Sequence, residues 1–395
     1  MPADVALNRI FKQHPQYGSR DRRLYSLAVF AWFRWLGWTR RLTPGHASGQ
    51  LAWALWLDGA DETSTLPPWP EVTEGPPPPA VKPASLAELA RVIATTSAIP
   101  DLRVADLFPD WLPLSLDPAI DADAFMAACQ QRPPTWLHLP EPARDACCEA
   151  LRRVGLKPRT HARIPGAVAI DPPFQLQVIE RAWGQPLHVQ DIASQAVGLV
   201  SQATPGSCWW DVCCGAGGKT LLLAEAVGHA GRVMATDCRD TILENLRERA
   251  ARHRRSNILT QLHDATLPPP FHHLCDGVLV DAPCSGIGTW PRNPDARWRT
   301  PNGYVETCTR RQIDILRQAA TRVKPGGVLV YAVCSVTRAE GPDIVAEFTR
   351  ETPAFHLEPF VHPYHGDPTP GYAALAPADG PGDGMFVARF RRASQ

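Results

Sequence analysis

Two thiols carry the most specific chemistry in this chain of 395 residues. Cys284 follows a short apolar run, 277–280, closed by Asp281, Ala282 and Pro283, and Cys334 follows a second such run, 328–333. Each run has the profile of a buried parallel strand emptying into a loop, and open α/β sheets bind ligands at such loops. A single helical pattern, 305–323, lies between them. A right-handed crossover would therefore set the two strands side by side, about 5 Å apart, with both sulfurs facing one crevice. A thiol placed there beside an acid can act as a nucleophile. It must first be activated, because a free thiol with a pKa of ~8.5 is mostly protonated at neutral pH.

A second constellation surrounds DVCCGAGGKT, residues 211–220, at the end of an earlier apolar run. Gly215, Gly217 and Gly218 let the backbone pass close to a ligand and set a helix amino terminus beneath it. The tail Gly218-Lys219-Thr220 imitates a phosphate-binding loop, but the leading glycine such a loop needs falls on Cys213, which disfavours a nucleoside triphosphatase. Four successive runs end in carboxylates: Asp211, Asp237, where a ribose would be held, Asp264, where an adenine amino group would come, and Asp281. Such an acidic rim suits a phosphate-free adenosyl cation better than a dinucleotide, since Lys219 is its only basic member.

The elements that must position these groups can be read from period and punctuation. Strands are predicted at 208–212, 231–236, 258–262, 277–280 and 328–333, with a last one at 385–391. Helices at 219–227, 239–253, 305–323 and 340–349 alternate with them, the pattern of a doubly wound α/β sheet. A helix at 190–200 leads into that sheet. Upstream, residues 132–185 read as a small β-α-β unit, with strands at 135–139 and within 157–170 and a helix from Pro142 to about Val154.

Residues 1–65 read as helical, and tryptophans 32, 35, 38, 53 and 56 recur at helical spacing, as core rather than base-stacking residues. A proline-rich stretch, 66–85, reads as a linker, and 86–131 as a helical connector. The domain with the sheet spans 186–395.

Composition narrows the field. The net charge is zero, so the chain is not a globally basic nucleic-acid binder. The first fifty residues nevertheless carry Arg9, Lys12, Arg20, Arg22, Arg23, Arg34, Arg40 and Arg41 against only Asp4 and Asp21, which would suit a phosphate-facing surface. The eleven cysteines form no C-x-x-C pair, so neither a zinc site nor a disulfide framework is expected, and metal is left out of the reading. The amino terminus lacks an apolar signal region and no run is long enough to span a bilayer, so a reducing cytoplasm is the expected compartment.

Together these motifs resemble the RNA cytosine-C5 methyltransferases of the Nop2/Sun (Fmu) family, especially the bacterial small-subunit rRNA type. The family's cofactor loop D-x-C-A-A-P-G-G-K corresponds to Asp211 through Lys219, D-A-P-C-S-G to Asp281 through Gly286, and Y-S-T-C-S to Tyr331 through Ser335. The R-R-N-P-D stretch matches at 291–295, the Q-D-x-A-S-Q helix at 190–195 and the closing D-G-x-F-V-A-R strand at 383–389. The resemblance thus runs from about residue 132 to the carboxyl terminus, with a looser echo of an RNA-binding helical domain in GSRDRR, residues 18–23. Departures are Cys214-Gly215 for two alanines, Ala216 for the loop proline, Val333 for a threonine, and Pro291 for the first arginine, which costs one phosphate contact.

The resemblance implies a Rossmann-like methyltransferase sheet with an N-terminal helical domain and a small β-α-β RNA-binding unit. It implies S-adenosyl-L-methionine held by Asp211, Cys213, Cys214, Gly215, Ala216, Gly217, Gly218, Lys219, Asp237, Asp264 and Asp281. It makes Cys334 the attacking thiol and Cys284 the residue that assists release, with Asp281 holding the base edge. Arg292, Arg297 and Arg299 would grip RNA, expected to be ribosomal with transfer RNA as the alternative, and the protein would act as a monomer. The rival readings are a non-catalytic RNA-binding ribosome assembly factor and a small-molecule methyltransferase. Both thiols and all four strand-end acids speak against the first, and the N-terminal third against the second.

Overall fold

A computed structural model describes residues 1–59, 78–79, 81–97, 99–141, 143–172 and 174–394, so most of the proline-rich stretch lies outside the described residues. The chain divides into two compact units whose boundaries cut across the sequence. The first comprises residues 1–116, 121–132 and 290–302, and the second 117–120, 133–289 and 303–395. The helical segments read as separate, 1–65 and 86–131, thus fall in one unit apart from residues 117–120, and the small β-α-β segment belongs with the sheet.

The helical unit is built on helices Ala3–Gln13, Ser19–Leu42, Ala47–Leu57, Leu86–Thr96 and Ala122–Cys129. Trp35, Trp38 and Trp53 are buried, as their helical spacing predicts, and the Trp38 indole donates to the Arg103 carbonyl at 2.7 Å. The segment 290–302 supplies part of this core. Trp290 is buried against Phe108 and Trp111, the Trp298 indole donates to the Phe33 carbonyl, and Asp295 accepts from the backbone N–H of Ala3.

The second unit carries the sheets. Strands β1 (Thr135–His138), β2 (Arg159–Thr160), β3 (Ala167–Ile170) and β4 (His188–Val189) form a small antiparallel sheet in the order β2-β3-β1-β4. Helix Ala143–Arg153 packs on it through Cys147, Cys148 and Leu151.

The large sheet contains β5 (Cys208–Asp211), β6 (Arg232–Asp237), β7 (Ile258–Leu262), β8 (Cys275–Asp281), β9 (Val323–Val333), β10 (Phe355–Leu357), β11 (Tyr372–Leu375) and β12 (Met385–Arg392). Its order is β10-β12-β9-β8-β5-β6-β7, with β11 also on β12. Strands β5 to β9 are parallel and β12 runs antiparallel to β9. The chain moves outward from β5 through β6 and β7, then reverses to β8 on the other side. The switch point, where doubly wound sheets bind ligands, therefore falls between the carboxyl ends of β5 and β8.

Each side of the sheet is covered as its near-continuous apolar strands require. Helix Tyr304–Ala320 and helix Pro342–Glu351 bury Ile315, Leu316, Ile344 and Phe348 on one face. Helices Ile192–Ser201 and Gly218–Val227 bury Ala193, Ala196, Val197, Leu223 and Val227 on the other, in a core shared with Trp136 and Ala169 of the small sheet. The Q-D-x-A-S-Q motif has a local cause. Asp191 caps the first helix by accepting from the Ala193 N–H, a contact worth about 1 kcal/mol. Gln195, 2% exposed, donates to the Leu137 and Gln190 carbonyls.

Candidate active site

The switch point gathers the predicted groups. Cys284, just past β8, and Cys334, just past β9, stand with their sulfurs 3.1 Å apart, each partly buried and free of a disulfide. Their strands are parallel neighbours, with Asp281 opposite Ala332, so the crossover expected from sequence is present. Close contact splits the roles of the two sulfurs. The hydrogen bond to Cys334, then burial, pushes the Cys284 thiol well above its ordinary pKa. Either sulfur can donate to the other, and the contact favours the protonated form of Cys284.

Lys219 connects this pair to the glycine turn. Its ammonium lies 2.8 Å from Asp281 Oδ2; the lysine side chain is 10% exposed and the aspartate 32%. Burial alone would lower the lysine pKa, but Asp281 more than offsets it, and the net shift is upward. The ammonium therefore stays charged and fixes Asp281 beside the sulfurs.

Across the turn, Asp211 is fully buried and accepts from the Thr220 hydroxyl at 2.6 Å. Its Oδ1 finds no hydrogen-bond partner among the described residues. Burial raises its pKa to about 7, opposed by the Thr220 bond and reinforced by the nearby Asp281. Gly217 has φ +83°, and a Cβ there would come within 2.1 Å of Leu246 Cδ1, so only glycine fits. The side of Gly215 is open, with nothing within 4 Å of its would-be Cβ. Cys213 is half-buried and Cys214 buried; burial, then the carboxylate of Asp211, pushes both thiols upward and leaves them inert as nucleophiles. Ala216 is exposed, its carbonyl held by Arg249.

Asp237 ends β6 with its carboxylate already engaged. It accepts from the N–H of Gly215 at 3.1 Å and from the backbone, Nε and Nη2 of Arg239 at 2.9–3.0 Å. Burial would raise its pKa, yet the Arg239 fork leaves it lowered. Arg239 is 60% exposed, so it can swing off at small cost when a diol competes for the acid. Asp264 lies exposed past β7, where the Thr266 N–H and hydroxyl hold its pKa down. An open glycine turn, an orphaned buried carboxylate oxygen and acids at the ends of β5, β6 and β8 fit an adenosyl cation.

Glu340 is the functional residue that sequence reading passed over. It is fully buried and takes five neutral donors: the Ser285 N–H (2.8 Å) and hydroxyl (2.5 Å), the Ser335 hydroxyl (2.6 Å), the Thr337 hydroxyl (3.1 Å) and the Gln312 amide (3.0 Å). Gln312 also donates to the Pro283 carbonyl, and the Tyr331 hydroxyl lies 2.7 Å from the Glu340 carbonyl. One carboxylate thus clamps the serine after each cysteine. The repeated Cys-Ser was the available signal. Gly288 closes the same loop against β12: its N–H donates to the Cys334 carbonyl, and a Cβ there would lie 1.9 Å from the Gly384 carbonyl.

The expected RNA-binding arginines sit in the helical unit, and Arg297 requires a correction. It is 0% exposed, donates to the Leu107 and Cys129 carbonyls, and stacks 4.4 Å over the Phe108 ring, while burial lowers its pKa to about 10. It is a core residue, not a phosphate contact. Arg299 is 40% exposed and pairs with Asp295 at 2.9 Å; Arg292 is half-buried. Of the basic N-terminal residues, Arg34 is buried on Asp58 and Arg41 pairs with Asp101 and Asp106. Arg9, Lys12, Arg20, Arg22, Arg23 and Arg40 remain exposed.

A Rossmann-like sheet with an open glycine turn and strand-end acids defines the class, a methyltransferase domain of the S-adenosylmethionine-dependent type. Residues 199–391 match the family described as 16S rRNA methyltransferase RsmB/F. The chain belongs to that family, as the motifs it shares with the Nop2/Sun proteins imply. It is 29% identical over 302 residues to a probable ribosomal RNA small subunit methyltransferase B of Synechocystis, covering 72% of this chain and 67% of the relative. It is 31% identical over 295 residues to the ribosomal RNA small subunit methyltransferase B of Cronobacter sakazakii, covering 72% and 66%. The chain thus spans about two thirds of the length of these relatives. In fold it is similar to PH0851, with TM-score 0.76 and 21% identity over 99% of this chain and 95% of that one. NSun6 from Pyrococcus horikoshii, solved with SFG, aligns with TM-score 0.58 and 18% identity over 69% and 94%. Among the described residues no helix is long and apolar enough to cross a membrane.

Proposed function

We propose that the protein methylates carbon 5 of a cytosine in ribosomal RNA, through a covalent adduct between Cys334 and carbon 6, acting as a cytoplasmic monomer. The supporting observation is the 3.1 Å sulfur pair at the switch point, whose contact favours the protonated form of Cys284. Bound S-adenosyl-L-methionine supplies an electrophilic methyl group, and the glycine turn with Asp211, Asp237 and Asp264 has the chemistry to hold it.

Carbon 5 of cytosine is too weak a nucleophile to take a methyl group unaided. Cys334, as thiolate, adds to carbon 6, and the ring becomes an enamine with electron density at carbon 5. Asp281, oriented by Lys219, holds the amino and ring-nitrogen edge and favours the protonated ring that addition requires. After methylation the carbon-5 proton passes to water, its electron pair re-forms the 5,6 double bond as the carbon 6–sulfur bond breaks and returns Cys334 as thiolate, and Cys284 assists this release. The base must be unstacked to enter. The exposed N-terminal cations, with Arg292 and Arg299, are suited to RNA phosphates.

RNA bearing 5-fluorocytosine tests the assignment, since fluorine at carbon 5 blocks release. The wild type and Cys284→Ala should trap it covalently and Cys334→Ala should not. Unmodified RNA should accumulate as an adduct only with Cys284→Ala. Trapping by Cys334→Ala would reverse the two roles.

A further inference from the structure

A second pair of sulfurs lies at the opposite end of the parallel sheet. Cys208 opens β5 and Cys275 opens β8, and their sulfurs are 3.9 Å apart, both buried among Trp210, Phe271, Val323 and Ala319. His273, two residues before Cys275 and on the same side of the extended backbone, brings an imidazole nitrogen to the pair, with all three donor atoms within 4.8 Å of one another. The active site does not use these residues.

The spacing has a specific meaning. A zinc ion bound tetrahedrally by thiolates at about 2.3 Å sets its sulfurs about 3.8 Å apart, the edge of the tetrahedron. The two thiols stand at that separation, whereas a disulfide would need them at about 2.05 Å. Two thiols and an imidazole are the donor set that selects zinc among the common divalent ions. The surroundings also suit a neutral complex of one dication and two thiolates. Asp276, the nearest acid, is spent elsewhere: it accepts from the Cys208 N–H at 2.8 Å and from Lys324 at 2.6 Å. The imidazole is exposed and stacks on Phe271 with ring centroids 4.4 Å apart, so it can close on a metal without disturbing the core.

We propose that Cys208, His273 and Cys275 bind a zinc ion with a water as fourth ligand, pinning the starts of β5 and β8 together. Binding releases the two thiol protons to solvent and leaves the imidazole neutral, so affinity falls as the solution is acidified. No C-x-x-C marks the site, because Cys208 is distant in sequence from His273 and Cys275.

The test is metal analysis of the full chain purified without chelator, followed by cobalt substitution. The expected result is about one zinc per chain and a cobalt–thiolate absorption band, both lost in Cys208→Ser and in His273→Ala and both kept in Cys238→Ser. Since Cys208 is buried and its replacement can disturb folding, the exposed His273 is the deciding position. A chelator should lower the Tm of the wild type and leave that of His273→Ala unmoved. The proposal is overturned if the protein carries no zinc and gives no cobalt band. It is equally overturned if His273→Ala and Cys208→Ser retain the metal, which would place it elsewhere, such as on Cys284 and Cys334.

Discussion

The parallel sheet carries a sulfur pair at each end of its strands, on β5 and β8 at the amino end and past β8 and β9 at the carboxyl end, and the two ends are built differently. At the amino ends, Cys208 and Cys275 are 3.9 Å apart, enclosed by apolar side chains and with an imidazole at their exposed edge. Past the carboxyl ends of β8 and β9, Cys284 and Cys334 are 3.1 Å apart, half-buried and backed by serines, a buried carboxylate and a lysine–aspartate pair. Sulfur proximity alone therefore does not make a nucleophile. What distinguishes the second pair is the polar frame behind it.

The sharpest way to break this contrast is to delete one sulfur at each end. Cys334→Ala should reduce methyl transfer on the order of ten-thousand-fold, while Cys208→Ala should leave the turnover of folded protein within about threefold and cost only stability. Comparable losses in a tritiated-methyl assay would mean that both ends serve the chemistry.

The frame itself is tested next. Glu340→Gln keeps the shape but offers one acceptor oxygen where five donors converge, so both Cys-Ser loops loosen. The expected cost is about 1–3 kcal/mol in unfolding free energy. The turnover number should fall about tenfold or more with KM for RNA unchanged, and Glu340→Asp should recover less than the wild type but more than the amide. A fall in stability without a fall in turnover would reduce Glu340 to a purely structural role.

Asp211 gives a pH signature of the carboxyl end alone. Its folded pKa, raised to about 7 by burial, lies above the unfolded value of about 3.9, so the folded state binds the extra proton between them. That stability is fully present below the unfolded value and is lost as pH rises through the folded one. Thermal unfolding across this window should show the decline, Asp211→Asn should flatten it, and Cys208→Ala should leave its slope intact. The smallest effect is expected at Arg239, which competes for the ribose-binding acid. Arg239→Ala should lower KM for S-adenosylmethionine about two- to threefold, and a rise would show that the arginine instead contributes to binding.

Much of the carboxyl end was legible in sequence because apolar runs, terminal acids and glycines are local signals. Strands expected at 208–212, 258–262 and 328–333 appear as Cys208–Asp211, Ile258–Leu262 and Val323–Val333, and the helix at 305–323 as Tyr304–Ala320. The amino end was not legible, since Cys208 and Cys275 meet only through strand pairing and His273 precedes the strand. Glu340 was hidden by its charge, which in a helical pattern signals solvent unless its donors are known. Arg297 misled for the same reason: nothing in NPDARWR announces that two carbonyls and an aromatic ring will enclose a guanidinium. Strands β10 and β11, of three and four residues, were missed.

The excursion of residues 290–302 into the helical unit bears on inheritance. Trp290 and Arg297 follow the catalytic motif directly in sequence, yet their contacts are with Phe108, Leu107 and Cys129. A gene fusion or deletion that exchanged the leading helices as a cassette would orphan an arginine and a tryptophan encoded far downstream. The two parts of the gene can diverge only in step, and a graft of this amino-terminal unit onto another enzyme has to carry both stretches.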